Sequence, residues 1–132
     1  MIADTSAWIE LLRSTGSPVH LRLQRALQRD ETCWVPEVVY REVLQGARSV
    51  GHFIEMQKFL DSLPAYASED PFALARDAAL LYARCRWQGL PVRSANDCLI
   101  AACAIEANES LLARDRDFAQ IAQVEPRLKL II

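Results

Sequence analysis

Lysine is nearly missing from this chain: Lys58 and Lys129 are the only two among 132 residues, against thirteen arginines. The bias favours bidentate phosphate contacts, although a GC-rich coding sequence produces the same bias. A formal net charge of −2 supplies no global attraction to nucleic acid. Histidine is as scarce, with His20 and His52 near none of Cys33, Cys85, Cys98 and Cys103, and no C-x-x-C pair occurs, so the spacing of a zinc site is absent. Cys33, Cys98 and Cys103 sit in apolar runs and read as small buried hydrophobes, free thiols that suit a reducing cytoplasm. No apolar stretch is long enough to span a bilayer, and no charged region followed by an apolar core opens the chain. The mature protein is therefore expected to begin at Met1, without a membrane anchor.

What is present is the material of one domain. At 132 residues, 52% hydrophobic and 24% charged, the chain fits a single domain over 1–132 with a real core. No repeat, low-complexity tract or linker interrupts it, and the loops around Gly16, Gly51 and Gly89 are short punctuation. Short apolar runs alternate with helix-period segments, the pattern of an α/β fold with a parallel sheet. Strands are expected near Ile2 to Ala3, Thr32 to Val35, Pro64 to Ala67, Ser110 to Ala113 and Leu128 to Ile131. Between them Val19, Leu23, Ala26 and Leu27 keep helical spacing, as do Phe72, Ala75, Ala79, Tyr82 and Ala83. Pro18, Pro36 and Pro71 fall at or near helix starts, where a missing N–H costs nothing.

Against this background several acids lie where a fold alone has no use for them. Asp4 follows the first apolar segment, at the strand end where open α/β sheets place their crevice; it reads either as a helix cap or as a metal ligand oriented by Thr5 or Ser6. Glu42 is a sharper case. With a helix starting at Pro36 and about 100° per residue, it falls between Val38 and Val39 on the apolar stripe, where a carboxylate must be paired or coordinate a cation. Asp97 opens the most apolar helix of the chain, Cys98 to Ile105, whose buried amino end belongs in the same crevice; Ser94 with Asp97 also resembles a capping box. Asp115 and Asp117 follow the run Ser110 to Ala113. Asp115, nearer the strand, is the expected ligand, and Asp117, directly before Phe118, the expected cap. If these acids converge, they form an all-oxygen site for Mg²⁺ or Mn²⁺.

The segments Met1-Ile2-Ala3-Asp4-Thr5-Ser6, Glu42 in the second helix, Asn96-Asp97-Cys98-Leu99-Ile100-Ala101-Ala102 and Leu112-Ala113-Arg114-Asp115-Arg116-Asp117-Phe118, in this order, give a resemblance over the whole chain. It resembles the PIN-domain ribonucleases, in particular the VapC toxins of prokaryotic toxin–antitoxin pairs. The resemblance implies a three-layer α/β/α fold, a homodimer, a small VapB-like antitoxin partner and an RNA substrate. It implies Asp4, Glu42, Asp97 and Asp115 as catalytic acids and metal ligands, with Asp117 as supporting or alternative ligand. By this account Mg²⁺ or Mn²⁺ lowers the pKa of a water that attacks a phosphodiester, with no nucleophilic side chain. So many carboxylates in one crevice are expected to raise one another's pKa. Arg93, Arg114 and Arg116 either bind flanking phosphates or pair with those same acids.

Other classes fit less well. A phosphoryl-receiver domain needs an acidic pair after its first strand and a late Lys, whereas this chain has Asp4-Thr5-Ser6 and only Lys129 near the end. A haloacid-dehalogenase-type phosphatase needs Asp-x-Asp, and Ser6 stands in the second Asp position. The remaining alternative is a catalytically silent PIN-like RNA-binding or scaffold domain. The apolar residues between Arg48 and Leu63, including Phe53, Ile54, Met56, Phe59 and Leu60, exceed what one helix face needs, and part of them is expected to meet the antitoxin or a second copy.

Overall fold

The computed structural model describes residues 1–131, and among these five short strands alternate with seven helices. In chain order they are β1 (Ile2–Ala3), α1 (Thr5–Leu12), α2 (Pro18–Gln28), β2 (Val35–Pro36), α3 (Glu37–Leu44) and α4 (Val50–Asp61). There follow β3 (Ala65–Tyr66), α5 (Pro71–Trp87), α6 (Ala95–Glu106), β4 (Ser110–Leu112), α7 (Arg116–Val124) and β5 (Lys129–Ile131). All pairings are parallel. β1 runs beside β4 with Ile2 opposite Leu111 and Ala3 opposite Leu112, and β4 beside β5 with Leu111 opposite Leu130. β2 and β3 pair separately, and a bridge between Ile2 and Trp34 joins this pair to β1. The spatial order is thus β3, β2, β1, β4, β5, with β1 central and helices flanking the sheet, the expected α/β class.

Burial explains why the strands read as apolar runs: Ile2, Ala3, Leu111 and Leu112 have no exposed surface, as a sheet covered on both faces requires. β2 starts later than Thr32. Trp34 N–H donates to Met1 O and Val35 N–H to Pro64 O, both at 2.9 Å, so the ladder begins only at Trp34, and the Thr32 carbonyl instead accepts from the Met1 ammonium.

The helix boundaries follow local chemistry. Ser17, Ser49 and Asp70 cap α2, α4 and α5 by accepting from His20, His52 and Ala73 N–H groups, and Pro18 and Pro71 occupy first helical positions. Pro36 stands one step earlier than its expected place inside a helix: it ends β2 and flanks α3. A left-handed break at Ser14 (φ 51°) and Gly16 (φ 76°) separates α1 from α2, so Glu42 lies on the third helix and not the second. In α5 the expected face is wrong. Phe72, Ala75, Ala79 and Tyr82 are exposed, whereas Ala78, Leu81 and Cys85 are buried, because α6 packs against the other side of this alanine-rich helix.

α6 is the buried helix that its composition predicts. Cys98, Ile100, Ala101, Ala102, Cys103 and Ala104 are all inside, and all four cysteines are free and buried. It ends in a Schellman turn: Asn108 (φ 53°) donates to Ile105 O, and Glu109 N–H reaches back to Ala104 O at 2.9 Å, which redirects the chain into β4. On the opposite part of the core, Trp8 of α1 packs edge to face against Phe59 of α4, ring centroids 5.9 Å apart.

Candidate metal centre

The carboxyl ends of β1 and β4 and the amino ends of α1, α6 and α7 bring the predicted acids to one edge of the sheet. Asp4 leaves β1 and caps α1, so both sequence readings bear on the same residue. Its N–H donates to Leu112 O at 2.9 Å, continuing the β1–β4 ladder. Its Oδ1 accepts from Ala7 N–H at 2.9 Å and its Oδ2 from Ser6 Oγ at 2.8 Å. Only 4% of Asp4 is exposed, and burial pushes its pKa up to about 6 against those hydrogen bonds.

Glu42 sits half-buried on α3 and ties two other elements together. Thr5 Oγ1 donates to its Oε1 at 2.7 Å and Asn96 Nδ2 to its Oε2 at 3.3 Å. The two hydroxyls after Asp4 therefore divide their work: Ser6 holds Asp4, and Thr5 holds Glu42. The Asn96 contact had no sign in the spacing, since 54 residues separate the partners.

Asp97 lies in the first turn of α6. Ser94 flanks that helix without capping it through its side chain, so the capping-box reading does not hold; only its carbonyl accepts from Asp97 N–H, at 3.1 Å. No hydrogen bond reaches the Asp97 side chain among the described residues. Burial first, then the charges of Asp115, Asp117, Asp4 and Glu42, raise its pKa to about 7. The mutual repulsion expected of crowded carboxylates is thus present at this residue.

The two acids of α7 exchange their expected fold roles. Asp115 caps α7, its Oδ1 accepting from Asp117 N–H at 2.9 Å, whereas Asp117 is 2% exposed inside the first turn. The cap goes to Asp115 because α7 starts at Arg116, two residues before the start at Phe118 that a cap at Asp117 requires. An oxygen from each of Asp97, Asp115 and Asp117 lies within 4.8 Å of the other two. Asp4 and Glu42 stand outside that trio and act on it through charge.

Arginine completes the surroundings. Arg93 contacts both Asp115 and Asp117, the pairing alternative of the sequence reading, while Arg114 pairs at 2.6 Å with Glu10, an acid in no motif of the chain. Arg116 is exposed and in no ion pair among the described residues.

The family model of the PIN domain matches residues 1–124. Over 125 residues the chain is 35% identical to a VapC ribonuclease of Mycobacterium bovis and to ribonuclease VapC11 of Mycobacterium tuberculosis, covering 94% of this chain and 92% of theirs. Among solved structures, VapBC2 of Rickettsia felis bound to a promoter DNA fragment aligns with a TM-score of 0.72 at 18% identity, covering 98% of this chain and 96% of that one. DNA-bound VapBC of Salmonella typhimurium aligns at 0.73 and 18%, covering 98% and 95%. These two share the fold. The family match over nearly the whole chain, and the identity to VapC ribonucleases, make this protein a member of the PIN-domain family, among its VapC-type ribonucleases.

Proposed function

We propose that this protein is a metal-dependent endoribonuclease, the toxin of a toxin–antitoxin pair. The observation that carries the reading is the trio Asp97, Asp115 and Asp117, with oxygens within 4.8 Å of one another and a pKa of about 7 at its least compensated member. An all-oxygen donor set fits a hard cation, Mg²⁺ or Mn²⁺, and an acid without a hydrogen-bond partner is one that a cation would satisfy. Asp97, Asp115 and Asp117 would hold it, with Asp4 and Glu42 completing the negative field. A cation bound there supplies Lewis acidity toward a phosphodiester and offsets charge developing on its oxygens.

The protein's own residues do the rest. Ser6, Thr5 and Asn96 fix the two outer carboxylates through neutral donors, leaving their negative charge in place. Asp97 must give up the proton that its raised pKa retains near neutrality before it can act as a ligand. Arg116, exposed at the start of α7, is free to meet a phosphate of the RNA.

The partner follows from the surface of α4. Met56 and Leu60 are buried, whereas Val50, Phe53 and Ile54 remain 77%, 39% and 44% exposed, so part of the apolar excess faces outward, as an antitoxin helix or a second copy requires. A cytoplasmic homodimer bound by a VapB-like antitoxin is part of the same proposal: free, buried cysteines suit a reducing compartment, and solved structures that share the fold are VapBC complexes.

The test is RNA cleavage by the purified protein with Mg²⁺ or Mn²⁺ and with EDTA. Cleavage is expected only with metal and is expected to vanish in Asp97→Asn. Full activity in EDTA would sink the reading.

A further inference from the structure

Arg93 stands on the loop ahead of α6, more than twenty residues from the acids it touches. Its backbone N–H and its Nε both donate to Oδ2 of Asp117 at 3.1 Å, and one terminal nitrogen reaches both oxygens of Asp115 at 2.9 Å. Two of the three acids in the trio therefore share one guanidinium. The contacts differ in kind. The Asp117 side chain is 3% exposed and is also held by the Arg93 main-chain N–H, which no rotation of the Arg93 side chain releases. Arg93 reaches Asp115 only with the distal arm of a side chain that is 64% exposed.

We propose that Arg93 is a tethered counter-ion of the metal-free site, whose distal arm leaves Asp115 when a divalent cation binds the trio. The inference rests on the metal-centre reading and deepens it, because it says what the cation must displace. Asp115 Oδ1 already accepts from Asp117 N–H as well as from Arg93, so little of its acceptor capacity is left for a cation while the arginine stays. A cation beside the trio also meets the guanidinium at close range as a like charge. A monovalent cation offers no more charge than the tethered guanidinium and cannot replace it, whereas a divalent one can. Arg93 thereby lowers affinity and sharpens the preference for divalent ions, while holding two neighbouring carboxylates together in the metal-free fold.

The experiment is calorimetric titration of the full-length, metal-free protein with Mn²⁺ at neutral pH. Arg93→Gln is expected to bind Mn²⁺ about tenfold more tightly than the wild type, the scale of one like charge removed from a partly solvated site. Its metal-free melting temperature is expected to fall. Arg93→Lys keeps the charge and is expected to stay near the wild-type affinity. Affinity that is equal or weaker in a folded Arg93→Gln overturns the proposal. If that variant does not fold, the wild type decides: NMR resonances of the Arg93 guanidinium are expected to move toward those of a solvated arginine as Mg²⁺ is added, and resonances unmoved at saturation overturn it. Mn²⁺ binding that is absent in the wild type, or indifferent to Asp97→Asn, removes the metal-centre reading itself. Binding that depends on Asp97 and ignores Arg93 removes only this inference.

Discussion

Among single residues, Asp97 has no hydrogen bond to its side chain among the described residues, and its raised pKa fixes the sign of a pH effect. A carboxyl group whose folded pKa of about 7 lies above the ordinary Asp value of about 4 contributes stability below the lower value and loses it as pH rises through the higher one. Asp97→Asn removes that loss. Without metal, the melting temperature of the variant is expected to exceed that of the wild type by a margin that grows from pH 5 to pH 8; a margin that does not change with pH would refute the cause assigned here. Asp115 and Asp117 are expected to separate by stability. Asp117→Ala removes a buried acceptor of the Arg93 main-chain N–H and should cost about 1–3 kcal/mol, whereas Asp115→Ala loses a cap worth about 1 kcal/mol. Chemical denaturation of both variants gives the order, and a larger loss at Asp115 would reverse the roles the structure assigns.

At the scale of elements, α6 is the arm that places Asp97, and its rigidity comes from burial. Ile100, 1% exposed, lies three residues along from that acid. Ile100→Ala is expected to destabilise the fold by about 2–5 kcal/mol, measurable as a fall in the denaturation midpoint, and to lower Mn²⁺ affinity with it. The all-apolar character of α6 was legible in its residues, and so were the places of β1 and β4, because a strand covered on both faces has no polar alternation to confuse. The active face of α5 was not legible. In an alanine-rich helix several small-residue stripes look alike, and only packing on α6 selects Ala78, Leu81 and Cys85 over the stripe through Phe72 and Ala79. The acids that gather at the sheet edge could be singled out one by one, Glu42 because a carboxylate on an apolar stripe is a contradiction within a few residues and the others by their places at strand ends and helix starts. Their donors were not found, because the links from Asn96 to Glu42 and from Arg93 to Asp117 exist only after the chain has folded. The choice of cap between Asp115 and Asp117 turned on a two-residue difference in the start of α7, which spacing does not resolve.

For the molecule as a whole, folding gathers like charges at one sheet edge, so a cation held there as proposed would bind the native state and not the unfolded chain. Mn²⁺ at a hundredfold excess over its Kd is expected to raise stability by about 2.7 kcal/mol, and the gain is expected to shrink below neutral pH, where Asp97 holds its proton. A melting temperature unmoved by Mn²⁺ would leave the carboxylates without the role proposed for them. The same edge is gauged by the strands beneath it. Because Ala3 pairs with Leu112 and the Asp4 amide continues the ladder to the Leu112 carbonyl, the gap between Asp4 and the α7 acids is a count of strand repeats. A slip of one residue, roughly 3.3 Å, would carry the side chains of the shifted strand to the opposite face of the sheet and move the acids apart in the same motion. The exchange rate of one backbone proton, that of Asp4, therefore reads out whether the central strands and the crevice above them open together.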